Sequence, residues 1–220
     1  MKPKVITLAL NTADANAIAS GTPASGASFT LDGALVTSGV ATMDAPRHVY
    51  ISASGNESSN TITITGTDRF GNAISEAVTG PNATSNNSTK NFNTVTAVAV
   101  DASAAGNVLI GSAASAESKW YILDYHRDPF NIGIGVDLSS GLTTTFTVQH
   151  TLSTNFFNYT GTTIDETTDH AAFNHAELAG DTANESGAIT SPVTAIRLMV
   201  SAHGSGSVNM RFIQAGIRGA

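Results

Sequence analysis

The chain has 220 residues, of which 41% are hydrophobic and only 12% charged, and a formal net charge of −7. Its ten Lys and Arg residues are unclustered, which argues against a nucleic-acid phosphate track or a basic patch for anionic membranes. Without cysteine there is neither a disulfide framework nor a thiolate metal site. No apolar run approaches the roughly 18 residues that a spanning helix needs.

Ala, Gly, Ser, Thr and Asn dominate, and turn-formers and β-branched residues recur about every eight to twelve residues, which predicts an all-β sandwich. Residues 5–10 read as a first strand; their apolar stretch is too short for a secretory signal and is interrupted by Thr7. A second strand is expected at 28–31, after a small-residue loop with a helical turn within 12–19. Strands follow at 47–52, 61–66 and 74–78, with Asp68-Arg69-Phe70-Gly71-Asn72 as a hairpin connection and Gly80-Pro81-Asn82 as a stop. Residues 83–90 form a polar loop. The run S-A-A-S-A-E-S at 112–118 is the candidate linker. A second set of strands begins at Trp120, with members near 132–138 and 143–151. Residues 155–187 are an inserted loop. Finally, 190–215 reads as a β-hairpin around a Gly-rich break, because Ile196, Leu198 and Val200 alternate before it and Val208, Met210 and Phe212 after it.

Several phrases recur in the same order. Val95-Thr96-Ala97-Val98 lies over Val193-Thr194-Ala195-Ile196, and Pro46 to Ile51 over Pro129 to Ile134. Ile62 and Ile64 then match Phe146 and Val148. The sequence therefore predicts two tandem β-sandwich domains of jelly-roll-like type, 1–114 and 115–220, related by an internal duplication.

Candidate chemistry concentrates in two places. The insertion gathers Asp165, Glu166, Asp169, His170, His175, Glu177, Asp181 and Glu185, oxygen and nitrogen donors for a divalent ion. Their spacing fits no H-E-x-x-H or calcium-loop rule, and the competing reading is a solvated acidic loop or a subunit contact. Asp124-Tyr125-His126-Arg127-Asp128 places a histidine beside carboxylates, but no G-x-S-x-G elbow supplies a nucleophile. Trp120, Tyr121 and Tyr125 could stack a sugar, whereas a lone tryptophan is more often a core plug. Gly133-Ile134-Gly135 and Gly204-Ser205-Gly206 lack the following helix of a phosphate cradle and read as turns or close backbone approaches. No catalytic residue, cofactor or metal is expected.

The phrases A-P-R-H-V-Y-I-S-A-S-G-N (45–56), T-I-T-I-T-G-T-D-R-F-G-N-A-I-S-E-A-V-T-G-P-N (61–82) and F-N-T-V-T-A-V (92–98) carry a resemblance. So do D-P-F-N-I-G-I-G-V (128–136), T-F-T-V-Q-H-T (145–151) and S-P-V-T-A-I-R-L with the closing F-I-Q-A-G. In these the chain resembles a group of tailed-bacteriophage virion proteins. The resemblance implies a head or tail structural component made in the host cytoplasm, and supplies no catalytic residue. The expected role is a capsid decoration (cement) protein, a homo-oligomer with a trimer favoured, bound to the major capsid protein. A surface with so few charges fits one largely covered by neighbouring subunits. The competing expectations are a tail or head-fibre component, and a carbohydrate-binding module with Trp120, Tyr121 or Tyr125 exposed on a flat face.

Overall fold

The computed structural model describes residues 3–139, 141–153, 171–204 and 206–218. The fold is all-β, with no helix among the described residues. In chain order the strands are β1 (Lys4–Leu10), β2 (Ala19–Gly21), β3 (Val36–Thr37), β4 (Val40–Ala53), β5 (Thr61–Thr67), β6 (Ala73–Thr79), β7 (Ser85–Val100) and β8 (Val108–Glu117). They continue as β9 (Tyr121–Ile122), β10 (Arg127–Leu138), β11 (Thr144–Thr151), β12 (Phe173–Asp181), β13 (Glu185–Ile189), β14 (Ala195–His203) and β15 (Gly206–Arg218).

The strands divide into two compact units. One is residues 12–116; the other joins the first strand to the residues from 117 onward. In the first unit the antiparallel order is β2-β8-β4-β7-β5-β6, with β3 on the start of β4. β4 buries Ala41, Met43, Val49, Ile51 and Ala53 in strict alternation, and β5 buries Ile62 and Ile64 completely. Each such aliphatic side chain stabilises the fold by about 1.5–3 kcal/mol. β7 breaks the alternation, burying Phe92, Val95, Val98 and Val100. Two register shifts accompany the breaks: one against β4 between Thr42 and Arg47, beside Phe92 to Thr94, and one against β5 between Thr65 and Gly66, where the extra residue Thr96 reverses the facing of the strand. Gly66 is required there, since a Cβ would overlap the Thr94 carbonyl.

The second unit has a four-stranded sheet, β1-β15-β10-β13, and a ladder β12-β11-β14 with β9 on β14. The first buries one face, with Leu8, Met210 and Ile132; on the second, β11 is covered on both faces, by burial of Phe146 and Val148 on one and of Thr147 and Gln149 on the other.

The pairings of one unit recur in the other. β8 runs between β2 and β4, as β15 runs between β1 and β10. β5 runs between β7 and β6, as β11 runs between β14 and β12. The single long β7 bonds both β4 and β5. Its place in the other unit is shared by β13 on β10 and β14 on β11, with Pro192 in the gap. Proline offers no N–H to continue a ladder. Val98 lies opposite Ile64, whereas Leu198, two residues beyond Ile196, lies opposite Val148.

Several expectations are corrected. Residues 190–215 are not a hairpin, because β14 pairs with β11 while β15 pairs with β1 and β10. Alternation marks a buried face but cannot tell a hairpin from a connection that passes between sheets. Residues 112–117 are not a linker but the end of β8, where Ser112, Ala113 and Ala116 are buried beside Arg47. Strand 4–10, placed by sequence in an N-terminal domain of 1–114, pairs with β15. The expected inserted loop 155–187 contains β12 and the start of β13; two register shifts in the β11–β12 ladder hide its alternation. Within 12–19 there is a single turn at 15–16, closed by the Ala17 N–H on the Asp14 carbonyl at 3.5 Å, and 28–31 contributes only isolated bridges.

Candidate functional site

Of the acidic insertion, Asp165, Glu166, Asp169 and His170 lie outside the described residues. His175, Glu177 and Asp181 lie on β12 and Glu185 on β13. His175 is 6% exposed. Its Nδ1 accepts from the Glu177 N–H at 3.1 Å, and its Nε2 donates to the Ala188 carbonyl at 3.1 Å. That pattern fixes the tautomer and engages both ring nitrogens with backbone, tying β12 to β13. Nearby His150 stacks on Phe173 with ring centres 5.8 Å apart. Burial first, and a smaller electrostatic contribution from His175, lower the His150 pKa from its ordinary 6.5. Among the described residues no group of three His, Asp or Glu side chains is placed to hold a metal.

The Asp124–Asp128 cluster is wired into the fold. The Gln214 side chain accepts from the Asp124 N–H at 3.1 Å and donates to the Asp124 carbonyl at 2.6 Å. Arg127 donates to the Gly216 carbonyl at 2.6 Å and lies 3.5 Å from the Asp124 carboxylate. His126 packs against Tyr125, ring centres 4.4 Å apart, and no nucleophile approaches it in these bonds.

The aromatic trio does not form one flat platform. Trp120 is 6% exposed and lies under the Arg197 guanidinium, 4.6 Å from its ring centre. Arg197 is held by Gln149 at 2.8 Å and by an ion pair to Glu117. Tyr121 stands edge-on to Phe212 at 6.1 Å, with the Lys4 and Lys119 ammonium groups 4.7 and 5.3 Å from its ring centre. Burial of Trp120 follows from its place beside Ala195, where it plugs the core.

Three polar side chains escaped sequence reading. Glu57 is fully buried; one oxygen accepts from the N–H groups of Ala105 and Gly106 at 2.8 and 3.0 Å, the other from Asn60 at 2.6 Å. Arg47, 1% exposed, occupies a core position of β4 and clamps the Ala113 carbonyl and Asp44. His203 donates through Nε2 to the Leu10 carbonyl at 3.1 Å, joining β14 to β1. Only the alternation of β4 offered a hint, since it places position 47 inward.

Gly133 and Gly135 prove to be mid-strand on β10, neither turns nor phosphate cradle. They floor an apolar depression of about 370 Å³ on the exposed face of the four-stranded sheet, bordered by Pro3, Ser186, Arg211 and Ile213.

No family model matches the chain, and no characterised protein matches it significantly in sequence. Among solved structures the chain is similar to one in the structure of infectious bursal disease virus, Gx strain. That likeness has 13% identity over 100% of this chain and 72% of the other, with a TM-score of 0.17.

Proposed function

We propose that this protein is a structural component of a viral particle, a capsid decoration protein of a tailed bacteriophage that binds the major capsid protein as a homo-oligomer. The observation that carries the reading is how its buried polar side chains are used. Glu57, His175, His203 and Gln214 each hold backbone groups of neighbouring strands or loops. Such side chains build a rigid body, which a particle component needs more than a reactive centre. The virion-like phrases fall on the pairing strands β4, β5, β6, β7, β10, β11, β14 and β15.

The test is the copy number of the chain in purified particles, by quantitative gel staining or mass spectrometry. A decoration protein occurs in hundreds of copies and a tail component in six or twelve. Absence from particles overturns the reading altogether. Recombinant chain added to particles lacking it should rebind and raise their resistance to heat.

A further inference from the structure

On the exposed face of the four-stranded sheet the register sets residues in rows. Val5, Arg211, Gly135 and Ser186 form one row; Ile213, Gly133 and Ala188 form the next. The sheet is therefore a step. On β1 and β15 stand Val5, Arg211 and Ile213, with Val5 51% and Ile213 44% exposed. On β10 and β13 the same rows hold only Gly, Ala and Ser, leaving a terrace. Charge follows the step: Arg211 lies on the high side and Asp137 on the low side, an ion pair with side chains 53% and 39% exposed.

We propose that this stepped face binds the same face of a second copy about a two-fold axis running along the strands between β10 and β15. That rotation exchanges the two sides while keeping position along the strands. It lays Ile213 of each copy over Gly133 of the other, and Arg211 over Gly135 within reach of the other copy's Asp137. A two-fold contact requires one surface to complement itself. Here both shape and charge do so, since the tall basic side meets the flat acidic side. Four strands spaced by about 4.8 Å and seven residues of about 3.4 Å cover roughly 450 Å². That is below the about 800 Å² per partner of stable complexes, so the contact is weak in free solution and strengthened where copies are held close. The inference deepens the oligomer part of the function proposed above and rests on it only for its biological setting.

The test is sedimentation equilibrium of the full chain up to about 1 mM. The unmodified protein should form dimers. Gly135→Val fills the terrace, and because nothing lies within 4 Å of the added Cβ the strand keeps its own packing; far-UV circular dichroism checks this. Gly135→Val, Arg211→Glu and Asp137→Arg should each weaken association by more than about tenfold, as expected when charges in a contact meet like charges or shape is lost. Mixing Arg211→Glu with Asp137→Arg should restore a dimer, because both cross-copy pairs are then opposite in sign. A monomer at every concentration, a trimer, an oligomer indifferent to these changes, or no rescue on mixing overturns the proposal. Particle copy number is measured separately, so the two readings fail separately.

Discussion

Replacing Asp44 by alanine should destabilise the protein more than replacing Arg47 by methionine, although Arg47 is the larger and more deeply buried side chain. Their side chains are 15% and 2% exposed. Arg47 Nη1 donates to both Asp44 oxygens at 3.0 and 3.1 Å, and Nε donates to the Ala113 carbonyl at 2.9 Å. Asp44→Ala takes the carboxylate away from a guanidinium buried in the sheet. Stripping one partner from a buried pair costs about 3–5 kcal/mol, and the partial exposure of Asp44 puts this case near the lower end. Arg47→Met removes the charge, keeps most of the aliphatic volume and lets Asp44 hydrate. The Ala113 carbonyl then loses its guanidinium donors, which costs about 1–2 kcal/mol. Arg47→Ala adds a cavity and should cost about 2 kcal/mol more than the methionine variant. Guanidinium denaturation followed by far-UV circular dichroism, with slopes compared between variants, measures all three. If Arg47→Met proves costlier than Asp44→Ala, the account of this clamp as a charge that must stay paired is wrong.

Glu57→Gln turns an amide N–H toward the Asn60 amide and should cost about 1–3 kcal/mol. The double change Glu57→Gln with Asn60→Asp, which restores a donor facing an acceptor, should recover part of that loss in the same denaturation assay. For His150, whose folded pKa lies below the unfolded 6.5, the unfolded chain binds more protons between the two values. Its contribution is therefore fully present above pH 6.5 and lost as pH falls toward the folded value. His150→Gln should flatten that slope, read as stability at pH 7.5 against 5.5. Asp101, held below its ordinary 3.8 mainly by the Thr61 backbone N–H, works in the acid range. Its contribution is present above pH 3.8 and lost as pH falls through the lower folded value, so Asp101→Asn should remove that part of the acid limb. His203→Phe keeps the ring but abandons the Leu10 carbonyl, and should speed amide exchange in β1.

The sequence was most legible where alternation meets burial. Ile62 and Ile64, Ile132 and Ile134, and Val208, Met210 and Phe212 all face inward as their period predicts. It was least legible in partnership. Nothing in β14 or β15 says which strand each will bond, since a buried face looks the same in a hairpin and in a crossing between sheets. The small residues of 112–117 suggested a linker because their function is to make room for Arg47, a reason visible only across the ladder. Candidate chemistry was read from the types present in 124–128 and around His175, but the structure gives the Arg127 and His175 side chains backbone partners, which spacing does not encode.

The pairing of β1 with β15 has a consequence for synthesis. Lys4 lies opposite Phe212 and Leu10 opposite Gly206, so β1 must wait for a strand synthesised roughly 200 residues after it. At about 5–20 residues per second that wait is roughly 10–40 s. Throughout it β1 is an orphan edge, while the whole unit of residues 12–116 can complete itself. A nascent chain stalled before residue 206 should therefore display Val5 to Leu10 to proteases and to any complementary edge nearby, and full release should hide them.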